Sequence, residues 1–223
     1  MKAVILAAGF GKRLKKTFPK SLIEINGKSI IQNQIDIYRK FGIKEIYVVV
    51  GFKKEILMEE IKDVFFAYNN IYHITNTAYS LYIGLKNLEP DDVIWSNADV
   101  IFEDKVLEKI LKFKGNAIAV KRGKCEEEEV KFKTAQSGVI TEISKKIKDG
   151  EGEAIGVNKI TKRDFKKFVE NLKKCSLDDF FEKAIEYSIK DGITFKAVDV
   201  TELKCIEIDF EEDLKKAVEL FQK

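Results

Sequence analysis

Proline occurs only twice and histidine once in 223 residues, and the three cysteines, Cys125, Cys175 and Cys205, include no CxxC pair. An odd cysteine count without metal-ligand spacing excludes a disulfide framework, a zinc site and a dithiol redox motif, and it fits a reducing cytoplasm. Long apolar runs are missing too. The opening MKAVILAAGFG is cut by Gly9, Gly11 and the charges from Lys12 onward, below the length of a secretion signal or a membrane span, so no membrane insertion is expected. Nor is there an excess of one charge. Lys+Arg 40 against Asp+Glu 37 leaves +3, so the abundant lysines do not make a nucleic-acid binder. What remains is 45% apolar and 35% charged, the balance of a globular chain, with a length that suits one α/β domain over residues 1–223.

Apolar, β-branched runs at Lys2–Ala7, Glu45–Val50, Tyr72–Thr75, Val93–Ser96 and Ala117–Val120 alternate with helix-like segments near 29–41, 53–65, 78–88 and 103–113. That alternation predicts βαβ units around a parallel sheet. Ile30, Ile31, Gln34, Ile35, Tyr38 and Phe41 recur at intervals of three and four, so they form the sheet-facing side of a helix that Gly42 ends. Residues 129–160 change to shorter alternating strands with no linker before them, which reads as an extension of the same sheet. Helices follow at 161–172 and 177–190, with Ser176 and Asp179 in capping-box spacing at the second. A strand at Thr194–Val198, a run at Lys204–Asp209 and a terminal helix from Phe210 complete the chain. The acidic run Glu126–Glu129 reads as a solvated turn or strand end.

The first chemical motif is Leu6-Ala7-Ala8-Gly9-Phe10-Gly11-Lys12-Arg13, at the end of strand one, where ligands of open α/β sheets sit. Small residues let backbone N–H groups approach phosphate oxygens, and the two cations add charge. A dinucleotide fingerprint is excluded because Leu14 stands at its third glycine and no acid ends strand two, where Val50-Gly51-Phe52 stands. Gly27-Lys28-Ser29 imitates a Walker A ending, but Leu22 occupies its first glycine, so it reads as a turn before a helix.

Pro19-Lys20 follows the glycine loop, then a short strand and Asn26-Gly27-Lys28 before a helix. Together these segments resemble the nucleotidyltransferase family that makes activated sugars and alcohols from NTPs, and the resemblance runs along most of the chain. It implies a Rossmann-like mixed sheet, mostly parallel, with helices on both faces. It also implies that Leu6, Ala7, Ala8, Gly9, Gly11 and Arg13 hold the nucleotide while Lys20 contacts the reacting phosphates. Joining two phosphate anions does need fixed cations where negative charge concentrates, and proline before Lys20 fixes its backbone.

Two acidic strand ends complete the pattern. Val93-Ile94-Trp95-Ser96-Asn97-Ala98-Asp99 is an apolar strand ending in a carboxylate. Cys205, Glu207 and Asp209 alternate, so the two acids share a face. Asp99 and Asp209 could together hold Mg2+, which takes one or two carboxylates with phosphates and waters, and the resemblance assigns the same pair. Asp209 could equally cap the last helix. Glu207 either reaches metal through water or points into a polar acceptor pocket.

Asn76-Thr77-Ala78-Tyr79-Ser80-Leu81 resembles the cytidylyltransferases for phosphocholine and related alcohol phosphates. Asn76 and Ser80 can meet a pyrimidine edge, or alternatively cap a helix. His73 lies in an alternating run and reads as structural; no separate base is needed, because a phosphate monoester is already largely ionised. Gly152-Glu153-Ala154-Ile155-Gly156 resembles the family's acceptor-side strand, which makes Glu153 an acceptor-pocket candidate within an acceptor-side subregion at 121–195. Tyr79, Tyr82, Trp95, Phe180 and Phe181 could cage an ammonium group, though each is more simply core. The expectation is therefore a Mg-dependent, cytoplasmic cytidylyltransferase acting on CTP and a phosphorylated alcohol or sugar. The alternatives are a sugar-1-phosphate uridylyl- or thymidylyltransferase and a non-catalytic nucleotide-binding module.

Overall fold

The computed structural model describes residues 1–11 and 18–222. After strand β1 (Lys2–Ala7), the described residues continue with a 3-10 turn at Lys20–Leu22 and the hairpin of β2 (Glu24–Ile25) and β3 (Lys28–Ser29), which leads into α1 (Ile30–Lys40). Then come β4 (Glu45–Val50), α2 (Lys54–Glu60), β5 (Phe65–Tyr68), α3 (Thr77–Leu85), β6 (Val93–Asn97), β7 (Val100–Phe102) and α4 (Asp104–Lys112). The second half holds β8 (Asn116–Arg122), β9 (Lys131–Thr134), β10 (Ile140–Ser144), β11 (Gly152–Ile160), α5 (Lys162–Lys174) and α6 (Glu182–Lys190). It closes with β12 (Phe195–Asp199), β13 (Cys205–Glu207) and α7 (Glu211–Phe221).

Nine strands form one mixed sheet with the path β10-β9-β11-β6-β1-β4-β5, and β8 joins it through β11 while carrying β12 on its other edge. The parallel half is β6-β1-β4-β5, and β11 turns the sheet antiparallel where it meets β6. Period-two alternation sets the two faces. Along β1, Ala3, Ile5 and Ala7 join a core with Ile31, Ile35 and Tyr38 of α1, Leu57 of α2 and Leu107 of α4. Val4 and Leu6 point the other way, to Leu81 of α3, Phe168 of α5 and Ile185 of α6. A third cluster, Ile23, Ile25, Ile30, Ile101, Ile208 and Ala217, seats α7 beside the first hairpin. No helix among the described residues is long and apolar enough to cross a membrane.

Two expectations are corrected here. Tyr72–Thr75 is a turn, not a strand, and the paired strand is β5, with the preceding helix stopping at Glu60. Asn69 decides it. The buried Asn69 Oδ1 accepts from Ile71 N–H and its Nδ2 donates to Thr75 Oγ1 and Ser80 Oγ, and this local bonding prevails over the alternation of Tyr72–Thr75. The helix expected from 177 starts at Glu182. Asp179 does accept from Ser176 N–H at 2.8 Å, but Leu177–Phe181 is spent bridging to α3: Asn76 N–H donates to Leu177 C=O, Ala78 N–H to Asp179 C=O, and Phe181 N–H to Thr77 Oγ1. Trp95 and Phe181 are core. Trp95 stacks on Phe168 at 5.0 Å and meets Phe181 edge-on at 5.8 Å.

Candidate active site

Strand register brings the acidic residues together. β7 pairs antiparallel with β13, setting Val100 opposite Glu207, and Ile208 N–H donates to Asp99 C=O at 3.0 Å. Asp99 is thus level with the acids of the late strand. Ligand oxygens of Asp99, Glu207 and Asp209 all lie within 4.8 Å of one another. Pro19, at φ −56, introduces the turn of Lys20, whose Nζ lies 2.7 Å from Asp99 Oδ2 and 2.6 Å from Asp209 Oδ1. Asp209 does not cap α7. Asp213 reaches back instead, accepting from the N–H groups of Asp209 at 3.1 Å and Phe210 at 2.8 Å, which fixes the backbone that carries Asp209.

The electrostatics follow from this crowding. Burial works to lower the Lys20 pKa, but Asp99 and Asp209 outweigh it and hold the ammonium above its ordinary value. Glu207 behaves in the opposite sense. Part of its surface reaches solvent, yet its carboxyl sits among protein atoms; that desolvation, then the charges of Asp99 and Asp209, push it up to about 8. The donor set fits Mg2+, because it is all oxygen and Asp99 Oδ1 is buried without a hydrogen-bond partner among the described residues.

The glycine loop stands at the edge of this acidic cluster. Gly11 has φ +59, and a Cβ there would lie 3.0 Å from Lys20 Cβ, so a larger residue would press on the lysine as well as strain the turn. Leu6 C=O accepts from Ala98 N–H at 3.1 Å, which ties the loop strand to the Asp99 turn. Ala8 C=O accepts from Phe52 N–H, and a Cβ on Gly51 would stand 2.6 Å from that same oxygen. Leu6, Ala7 and Ala8 are buried and Gly9 is exposed. Phe10 packs against Phe52 at 5.2 Å and Tyr72 at 5.1 Å, closing one side of the loop. Arg13, with Lys12, lies outside the described residues. Asn76 caps α3, its side chain accepting from Thr77 N–H at 2.9 Å, and Ser80 is buried with its Oγ accepting from Asn69. His73 is exposed on the turn.

On the acceptor side the outcome is mixed. Glu153 does not belong to the acidic trio, since its carboxyl faces Glu129 and Lys121; desolvation and then Glu129 push it up to about 7. Gly156, at φ +71, sits in the irregular register of β11 and brings that strand against Asn97, where a Cβ would meet the side chain at 2.8 Å. A cleft of about 690 Å3 opens between β10, the 145–149 loop and the start of α6. Its wall contains Glu182, Phe180 and Lys145, with the Lys145 ammonium 4.4 Å from the Phe180 ring. Glu182 escapes a reading by helical periodicity, although a carboxylate between Phe181 and Ala184 on an apolar face is a visible signal. It is 8% exposed, and desolvation pushes it up to about 7. A carboxyl raised in the folded state costs stability as pH rises from its unfolded value through its folded one. Glu182→Gln is therefore expected to stabilise the protein at pH 8 by about 1–3 kcal/mol and to change little near pH 4.5. Thermal melts at both pH values check this, and an equal shift at the two would contradict it.

The MobA-like NTP transferase domain matches residues 3–156. The choline-phosphate cytidylyltransferase of Streptococcus pneumoniae is 38% identical over 99 residues, 42% of this chain and 43% of that one, so the match spans under half of either. The CTP:phosphoglutamine cytidylyltransferase of Campylobacter jejuni is 29% identical over a 253-residue alignment, covering 98% of this chain and 100% of the relative. Among solved structures, the inositol-1-phosphate CTP transferase from T. maritima superposes with a TM-score of 0.85 at 22% identity, covering 98% of this chain and 94% of that one, which establishes the shared fold.

Proposed function

The chain belongs to the MobA-like NTP transferase domain family and is a nucleotidyltransferase, and from that premise we propose that it joins CTP to a phosphorylated alcohol or sugar, releasing pyrophosphate. The observation that carries this reading is one lysine held between two carboxylates from distant strands, beside a glycine loop at the end of β1. An acceptor phosphate oxygen forms a bond to the α-phosphorus as the bond from that phosphorus to the bridging β-phosphate oxygen breaks. Positioning and charge stabilisation suffice for such a step.

Lys20 carries three N–H donors, and Asp99 and Asp209 take two, which leaves one for a phosphate oxygen. Arg13 meets the leaving pyrophosphate. Asp99 and Asp209 would hold Mg2+, which supplies charge neutralisation at the phosphate oxygens when bound. Leu6, Ala7, Ala8, Gly9 and Gly11 offer backbone to the nucleotide, and the region of Asn76 and Ser80 borders its base. Residues 121–195, with Glu153, Glu207 and the cleft at Glu182, form the acceptor side within a single domain. Three free cysteines suit a cytoplasmic enzyme.

CTP is favoured because a relative matched over 42% of the chain and one matched over 98% of it carry CTP or cytidylyl transfer in their names. The test is a matrix of NTPs against choline phosphate, aminoethylphosphonate, inositol phosphate and sugar 1-phosphates, read by pyrophosphate release. A preference for UTP or dTTP would select the sugar-phosphate alternative. CTP binding with no pyrophosphate from any acceptor would select the non-catalytic one.

A further inference from the structure

The sheet-facing side of α1 carries two polar residues, Gln34 and Tyr38, in an otherwise aliphatic stripe, and both are 0% exposed. Burying an amide and a phenol costs free energy unless each is hydrogen-bonded, so their partners say what they are for. Tyr38 Oη donates to Ser96 Oγ at 2.7 Å, and Ser96 Oγ donates to Gln34 Oε1 at 2.7 Å. With its oxygen fixed in this way, Gln34 aims Nε2 at the turn after β6. It donates to Asn97 C=O at 2.8 Å and to Val100 C=O at 2.6 Å, the two carbonyls that flank Ala98 and Asp99. Every donor and acceptor in the relay has a defined direction, and it terminates on the backbone that presents the Asp99 carboxylate.

We propose that Gln34, oriented by Ser96 and Tyr38, is a positioning residue that sets the Asp99 carboxylate for a divalent cation. The inference rests on the cation-assisted reading of the site. Three restraints converge on this short turn: Ala98 N–H on Leu6 C=O, Asp99 C=O on Ile208 N–H, and the paired carbonyls on Gln34. The first two tie it to the glycine loop and to the late acidic strand. Gln34 anchors it to a helix, and so to the rigid core. Without that amide, the buried Val100 carbonyl and the part-buried Asn97 carbonyl lose this donor and the turn relaxes to find others, which misplaces Asp99 Oδ1 and Oδ2 relative to Asp209. A glutamine suits the position because one planar group supplies both an acceptor for Ser96 and two donors for the turn.

The test measures metal affinity without turnover. Mn2+ is titrated into the protein with CTP present and followed by loss of the free-ion EPR signal, alongside thermal melting. Gln34→Met, which keeps volume and removes the amide, is expected to weaken Mn2+ binding about tenfold, as loss of an outer partner of a metal ligand does. The dissociation constant for CTP measured without divalent ion should change less than about twofold. Ile35→Val, on the same helix, lowers stability but should leave Mn2+ affinity at the wild-type value. If Gln34→Met does not fold, Tyr38→Phe replaces it, removing the first donor of the relay at almost constant volume, with an expected loss of about threefold. Wild-type Mn2+ affinity in a folded relay variant would overturn the role of Gln34 while leaving the functional reading intact. A wild-type protein that binds no Mn2+ and releases no pyrophosphate would overturn that reading itself, and the inference with it.

Discussion

Lys20→Ala is expected to lower pyrophosphate release from CTP and an accepted phosphate by about 10²–10³-fold, the effect of removing a preorganised donor from a site of developing charge. The ammonium also holds Asp99 and Asp209 together, so its loss leaves clustered carboxylates without that cation. Their repulsion should appear as a lower Tm in metal-free buffer, and added Mg2+ should raise the Tm of the variant by more than it raises that of the wild type. Lys20→Arg should not restore activity, because a planar guanidinium cannot occupy the same compact position between the two acids. Pyrophosphate release within about threefold of wild type in a folded Lys20→Ala protein would remove Lys20 from the reaction.

Asp99→Asn should cost about 10³-fold in the same assay, by a different route. The substitution keeps the shape of the side chain while removing the charge opposite Lys20, and it turns an oxygen that can face a cation into an amide N–H. Its signature is a sharply raised Mg2+ requirement with nearly unchanged affinity for metal-free CTP. An unaltered Mg2+ requirement would assign the metal to other residues. The two variants therefore differ in their response to Mg2+, which restores stability in one and is required at higher concentration for activity in the other.

Much of this site can be read from the sequence, because it is built from strand ends. Asp99 closes an apolar run and Glu207 and Asp209 alternate at the end of another, so local pattern puts these acids at strand ends, whereas Lys20 is singled out by the family resemblance. The contact between Lys20 and the two aspartates is different in kind. It depends on β7 pairing with β13 across more than a hundred residues, and no local periodicity encodes that register. Short-range side-chain bonding misled the reading at Tyr72–Thr75, where Asn69 organises a turn that β-alternation conceals. Gln34 was visible as one of the sheet-facing positions of α1, but its partners at residues 96, 97 and 100 belong to another element. Glu182 is legible only in part: its apolar sequence neighbours hint at burial, but the burial itself depends on how α6 docks against β10.

The backbone bonds that stitch Leu177–Phe181 to the first turn of α3 have a mechanical consequence. The segment that leads into Glu182 and the segment that begins with Asn76 form a single girder, bolted by main-chain and hydroxyl links that side-chain drift does not loosen. Under the proposed function, with the base near Asn76 and the acceptor near Glu182, the two substrates would meet opposite ends of that girder. If binding of one substrate changes the affinity for the other through this link, linkage requires the second to change the affinity for the first by the same factor.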